Sequence, residues 1–132
     1  MTEVFVDTFF WLAAFNPRDP HHSRTLRTPK PARAVTTTAV VIEVMDALSD
    51  PRFRPLAMTF WRAAHNDPDV MVVPFDDLVV PRAVSLYEQR GDKGWSLTDC
   101  ISFTVMSDRE ITDALTGDKD FEQAGFRLAL PD

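Results

Sequence analysis

Val4-Phe5-Val6-Asp7-Thr8-Phe9-Phe10-Trp11 decides how this chain folds. An apolar, β-prone triplet stops on an acid, and the run Phe9–Phe15 that follows is too apolar for a helix exposed all round. Strand, acid, helix is the opening of an α/β protein, and the rest of the sequence repeats the alternation. Asn16 to Ala34 holds Pro17, Pro20, Pro29 and Pro31, which block any long element and leave room for one or two turns around His22–Leu26. Val35-Thr36-Thr37 reads as the second strand. Thr38 can cap a helix running to about Leu48, in which Val41, Val44, Met45 and Leu48 recur at helical spacing.

Beyond Ser49-Asp50-Pro51, Phe53 to Ala64 reads as a helix with Pro55 in its first turn. Val70 to Pro74 is a β-branched run without alternation, which predicts a strand buried on both faces and central in its sheet. Helices are expected over Pro81–Arg90 and Ser96–Met106, a strand over Glu110–Leu115, a helical turn at Phe121–Gln123 and a last strand over Phe126–Leu130. The fold class is therefore α/β: a mainly parallel sheet covered by helices on both sides, with right-handed crossovers.

The 132 residues suit one domain, 1–132, able to bury roughly two-thirds of its unfolded surface without a disulfide or structural metal. The longest apolar run, Phe9 to Phe15, is far short of the roughly 20 residues a membrane span needs. Met1-Thr2-Glu3 has none of the features of a secretory signal, and Cys100 is the lone cysteine, so a cytoplasmic protein is expected. A formal charge of −6 argues against coating nucleic acid by bulk charge. The charge is unevenly spread, however: residues 1–65 carry 8 basic and 6 acidic groups, residues 66–132 carry 6 and 14. Arg18, Arg24, Arg27, Lys30 and Arg33 face only Asp19 in the Pro-rich connection. The acidic half could hold a cation, and the basic stretch could steer a polyanion toward it.

Ligands of open α/β sheets bind beyond the carboxyl ends of the strands, which singles out acids that end strands or open helices. Asp7, Asp99 and Asp118 qualify, and Glu43 sits in Val40-Val41-Ile42-Glu43-Val44-Met45, where a buried carboxylate needs a partner. Taken singly, each has a plain structural explanation: Asp7 as a helix cap, Asp99 as the end of a Ser96-x-x-Asp99 capping box, Asp118 as a turn residue, and Glu43 as a partly exposed or ion-paired helical position. Together they offer hard oxygen ligands of the kind Mg²⁺ or Mn²⁺ takes. Zinc is disfavoured, because the histidines are only His21, His22 and His65 and none lies at ligand spacing from Cys100. His21 and His22 read as loop residues, and Cys100 as a small buried apolar group. Thr8, Thr98 and Thr116 each neighbour an acid and could orient water or phosphate.

Four segments resemble, in order, those of the PIN-domain ribonucleases, and specifically the VapC-type toxins of prokaryotic toxin–antitoxin modules. They are Val4-Phe5-Val6-Asp7-Thr8, Thr36-Thr37-Thr38 to Glu43-Val44-Met45-Asp46-Ala47-Leu48, Trp95-Ser96-Leu97-Thr98-Asp99-Cys100-Ile101-Ser102-Phe103, and Thr116-Gly117-Asp118-Lys119-Asp120-Phe121 with Gly125-Phe126. The resemblance implies a three-layer α/β/α sandwich and Mg²⁺ or Mn²⁺ held by Asp7 and Asp99 with help from Glu43 and Asp118. It further implies endonucleolytic cleavage of RNA, inhibition of translation, a cognate antitoxin and a homodimer. Asp120 lies close enough to Asp118 to compete for its role. Bulky Phe9-Phe10-Trp11 after the first acid and the short Pro-rich connection depart from the family pattern and bear on substrate preference and on the partner groove.

Two rivals stand beside this reading. A phosphatase with Asp7 as nucleophile lacks a second acid two residues on, where Phe9 stands. A receiver-like or degenerate PIN module would bind a cation and a protein partner without hydrolysis, and Val70 to Asp77 offers it a strand followed by paired acids. Among the aromatics, Phe9, Phe10, Trp11, Phe15, Phe53, Phe60 and Trp61 are expected mostly in the core, with some free to line a groove for the antitoxin.

Overall fold

The structure, a computed structural model, describes residues 2–132; Met1 of the N-terminal reading lies outside them. Five strands form one all-parallel sheet: β1 (Glu3–Val6), β2 (Arg33–Thr37), β3 (Val70–Val73), β4 (Asp113–Leu115) and β5 (Arg127–Leu128), in the order β3-β2-β1-β4-β5. Parallel neighbours require crossovers, and the helices supply them. They are α1 (Thr8–Phe15), α2 (His22–Leu26), α3 (Thr38–Ala47), α4 (Arg54–Asn66), α5 (Val79–Gln89), α6 (Leu97–Asp108) and α7 (Lys119–Gln123). Among the described residues, no helix is long and apolar enough to cross a membrane.

The core is built where the sheet is covered. Phe5 and Val6 of β1, Val35 of β2 and Ala114 and Leu115 of β4 are buried with Val40, Val41 and Val44 of α3, Phe60 of α4 and Phe103 and Met106 of α6. Cys100 is fully buried among them, and burial raises its thiol above the ordinary value, as suits an inert packing residue. Of the aromatics expected inside, Trp11 and Phe60 are buried and in ring contact, Phe9, Phe10, Phe15 and Phe53 are half-buried, and Trp61 is exposed.

β3 corrects one expectation: the Val70 run is an edge strand, paired only with β2, and each of its residues is partly accessible. Its unbroken apolar character reflects helix cover over the sheet faces, which says nothing about the number of neighbouring strands. The central strand is β1. Two smaller shifts have local causes. α3 is capped one residue early, by the Thr37 hydroxyl accepting from the Val40 N–H at 3.1 Å. α6 runs past Met106 and stops because Glu110 adopts φ 57°, letting the Ile111 N–H reach back to the Met106 carbonyl at 2.8 Å. The strand expected from Glu110 therefore begins only at Asp113.

Candidate active site

β1 has β2 on one side and β4 on the other, so the chain reverses its direction of travel across the sheet between β1 and β4. The register pairs Val6 with Leu115, which sets the next residues of the two strands, Asp7 and Thr116, beside each other at the carboxyl edge. Both are buried. The Thr116 hydroxyl donates to Asp7 Oδ2 at 3.0 Å and accepts from the Asp118 N–H, also at 3.0 Å, so one side chain ties the first acid to the loop carrying the fourth.

Asp7 precedes α1 but its side chain makes no cap bond. The capping duty falls on its carbonyl, which accepts from the Phe10 and Trp11 N–H groups. Its carboxylate is thus not consumed by the local explanation. Burial pushes the Asp7 carboxyl up to about 7, opposed by hydrogen bonds from the Thr8 backbone and Thr116 and reinforced by the negative charges of Asp99 and Glu43. Glu43, half-buried on α3, accepts a short hydrogen bond from the Thr8 hydroxyl, which fixes its orientation toward the residue after Asp7.

Asp99 sits in the first turn of α6 and completes a capping box: the Ser96 hydroxyl accepts from the Asp99 N–H at 3.0 Å while Asp99 Oδ2 accepts from the Ser96 N–H at 3.1 Å. The structural explanation is thus fulfilled, yet it occupies only one carboxylate oxygen. Burial raises Asp99 to about 6, with the charges of Asp118 and Asp120 adding to the rise against the hydrogen bonds from Ser96. Asp118 caps α7, its Oδ1 accepting from the Asp120 N–H at 2.9 Å. Carboxylate oxygens of Asp99, Asp118 and Asp120 lie within 4.8 Å of one another. Burial and Asp118 raise Asp120 above its ordinary value, partly offset by Lys93.

Of the four acids picked out in the sequence, Asp99 and Asp118 lie together in this carboxylate cluster, while Asp7 and Glu43 stand outside it, near enough that the charges of Asp99 and Glu43 both act on Asp7. Asp120 joins the cluster, a residue that sequence reading placed only as a competitor of Asp118. The Asx turn at Asp118, which aims the following N–H back at its own side chain, is the signal that brings Asp120 round. Asp76, the rival's paired acid, is spent otherwise: its Oδ1 accepts from the Leu78 and Val79 N–H groups at the start of α5. The donors at the gathered site are hard carboxylate oxygens, those of Asp7, Asp99 and Asp120 with raised proton affinity, a set that fits a divalent cation of the Mg²⁺ or Mn²⁺ type.

An all-parallel α/β sheet with carboxylates gathered at its switch point defines the class. The chain belongs to the PIN-domain family, whose model matches residues 4–127. It is 28% identical over 139 aligned positions to the 23S rRNA-specific endonuclease VapC20 of Mycobacterium tuberculosis, covering 98% of this chain and 99% of the relative. The crystal structure of that protein, described as a sarcin-ricin loop cleaving toxin, superposes with a TM-score of 0.90 over 97% of this chain and 99% of the other. FitAcB of Neisseria gonorrhoeae matches at a TM-score of 0.67 and 14% identity over 95% of each chain, a likeness of fold alone.

Proposed function

We propose that residues 1–132 form one PIN domain acting as the endoribonuclease toxin of a toxin–antitoxin module, with Asp7, Glu43, Asp99 and Asp118, assisted by Asp120, as its metal-holding and catalytic acids. The observation that carries this reading is the Asp99–Asp118–Asp120 cluster, its carboxylate oxygens within 4.8 Å of one another, beside an Asp7 that is 4% exposed, feels the charge of Asp99 and has no cationic partner among the described residues. Carboxylates packed this closely repel one another, and a hard divalent ion relieves that repulsion. When bound, Mg²⁺ or Mn²⁺ supplies Lewis acidity toward a phosphate oxygen and makes a water easier to deprotonate.

The chain's own groups then have distinct tasks. Thr116 and Thr8 hold the Asp7 and Glu43 carboxylates in place, and Ser96 holds Asp99. An ionised carboxylate at the site accepts a proton from the attacking water. The water oxygen bonds to phosphorus while the P–O3′ bond breaks and the leaving oxygen takes a proton, giving 5′-phosphate and 3′-hydroxyl ends. Cleavage of RNA in the cytoplasm inhibits translation, which is what makes such an enzyme a toxin and a cognate antitoxin its natural partner. The half-buried Phe10, Phe15 and Phe53 and the exposed Trp61 are available for that partner's apolar contacts, and a homodimer is the expected assembly. The relative that the chain matches end to end makes 23S rRNA the first substrate to test.

Cleavage of ribosomal RNA by purified protein with Mg²⁺, compared among wild type, Asp7→Asn and Asp99→Asn, is the deciding experiment. The wild type cuts, both variants remain folded and do not, and induction of the wild type alone arrests growth. A folded wild type that binds Mg²⁺ without cutting any RNA would instead identify a degenerate PIN module.

A further inference from the structure

The acids explain how a cation is held but not how a polyanion approaches an edge carrying five carboxyl groups. The basic connection from α1 to β2, which contains α2, answers that, because the structure docks its His21–Arg24 part against the site. Phe9, the second residue of α1, lies against Gly117, the residue between Thr116 and Asp118: a Cβ on Gly117 would fall 2.5 to 2.9 Å from three atoms of the Phe9 ring. Two further contacts of that ring come from the basic segment. His21 packs on it at 4.8 Å between ring centroids, and the Arg24 guanidinium lies 5.8 Å from its centroid.

Arg24 is fixed from two further directions. Its Nε donates to the Pro131 carbonyl at 2.8 Å, and its terminal nitrogen Nη1 donates to His21 Nδ1 at 3.2 Å. Arginine cannot accept, so in this contact the neutral imidazole carries its proton on Nε2 and offers a second donor. Among the described residues Arg24 makes no salt bridge with a carboxylate, unlike Arg52, Arg82, Arg90, Arg109 and Arg127, so its charge is not neutralised within the chain. An ordered, unneutralised guanidinium stacked on an aromatic ring is a phosphate-recognition group.

We propose, building on the nuclease reading above, that Arg24 with the His21 Nε2–H binds a backbone phosphate of the RNA beside the scissile one. Phe9 acts as the positioning residue that pins this basic segment over Gly117. The site takes a phosphodiester, and a neighbouring phosphate fixes the register of the strand across the acids.

The test is steady-state cleavage of a single-stranded RNA by the full chain in Mg²⁺ at several KCl concentrations. Arg24→Gln is expected to raise KM about tenfold with kcat within about twofold, and to flatten the dependence of log KM on log salt by about 0.7, the share of one phosphate contact. Arg24→Lys restores the salt slope, since charge is what the slope counts. Phe9→Leu raises KM as Arg24→Gln does, whereas Phe9→Tyr keeps the ring and the wild-type KM. Arg52→Gln, beyond the far end of α3 and paired with Asp50, leaves all three quantities unchanged. Wild-type KM and slope in a folded, cutting Arg24→Gln protein would overturn the inference and leave the nuclease reading intact. A wild type that cuts no RNA would remove that reading and this one with it.

Discussion

Thr116 and Asp7, 109 residues apart in sequence, share a buried hydrogen bond of 3.0 Å in which the hydroxyl donates to the carboxylate. Because the same oxygen accepts from the Asp118 N–H, its proton has one direction left, toward Asp7. The hydroxyl is therefore a two-way tie between the carboxyl ends of β1 and β4. Thr116→Val keeps the shape, removes the donor and strands the Asp118 N–H. Bonds to charged groups contribute about 1.5–3 kcal/mol, so RNA cleavage is expected to fall about tenfold or more, while Thr116→Ser retains most of it. Equal rates for the two variants would show that the tie is dispensable.

Asp7→Asn is expected to lose activity and to gain stability. The folded carboxyl titrates at about 7 against a usual 3.8, so native protein holds the proton to higher pH than unfolded chain does. Stability from that proton is fully present below pH 3.8 and is lost as pH rises through 7, with a penalty on the order of 4 kcal/mol above it. Asn carries no such charge. In EDTA, thermal unfolding of Asp7→Asn and wild type should diverge progressively between about pH 4 and 7, the variant melting higher, and Mg²⁺ should narrow the gap by binding the native wild type. Parallel melting curves across that range would contradict the buried, unpaired charge.

Metal binding should be proton-linked in a defined window. Asp99 is raised to about 6 and Asp7 to about 7, chiefly by burial, so a cation entering at lower pH must displace protons. Apparent Mg²⁺ affinity rises with pH through this range and levels off above it. Calorimetric titration at about pH 6.5 in two buffers of different ionisation enthalpy should register proton release on binding, and the release should vanish near about pH 8.5.

What could be read from the sequence followed from what strand ends and helix periods constrain. Asp7 was legible because an acid closing an apolar triplet marks the carboxyl end of a strand, and Asp118 because Thr116-Gly117-Asp118 does the same for β4. The position of β3 was not, since apolar faces reveal cover and not neighbours; only pairing across the chain sets strand order. Nor was the end of α6, where Glu110 takes the left-handed position that a glycine usually marks. Asp120 was legible only as a competitor of Asp118, for a third reason: its approach to Asp99 depends on the Asx turn at Asp118, and its side chain on its own looks like any exposed acid opening a short helix.

Gly117→Ala tests the contact on which the mouth of the site is built. A methyl group there meets the Phe9 ring at 2.5 Å, too close for either to stay. Displacing a half-buried ring held by His21 and Arg24 should destabilise by about 1–3 kcal/mol in denaturant unfolding and lower cleavage. Phe9→Leu in the same chain should recover part of the stability, because the two substitutions share one space and cannot be additive. Additive losses would place the strain elsewhere.

Glu3 supplies the counterpart at the opposite end of β1. Its two carboxylate oxygens accept from Arg109 Nε at 3.1 Å and from the terminal Arg109 nitrogen Nη2 at 2.7 Å, with Arg33 3.9 Å away. The Arg109 hydrogen bonds, ahead of charge attraction to Arg109 and Arg33, hold the Glu3 carboxyl below its ordinary 4.5. A depressed carboxylate contributes stability that is present above pH 4.5 and lost as pH falls through its folded value. Both partners are partly exposed, which limits the pair to about 1 kcal/mol. Glu3→Gln should therefore lower unfolding stability by about that amount at neutral pH, with the difference closing below about pH 4. RNA cleavage should be untouched, since this pair ties the start of β1 to the end of α6 while the acids lie past the strand's other end. Lost cleavage in a stably folded Glu3→Gln protein would mean that the two ends of β1 are coupled in a way the hydrogen bonds do not provide.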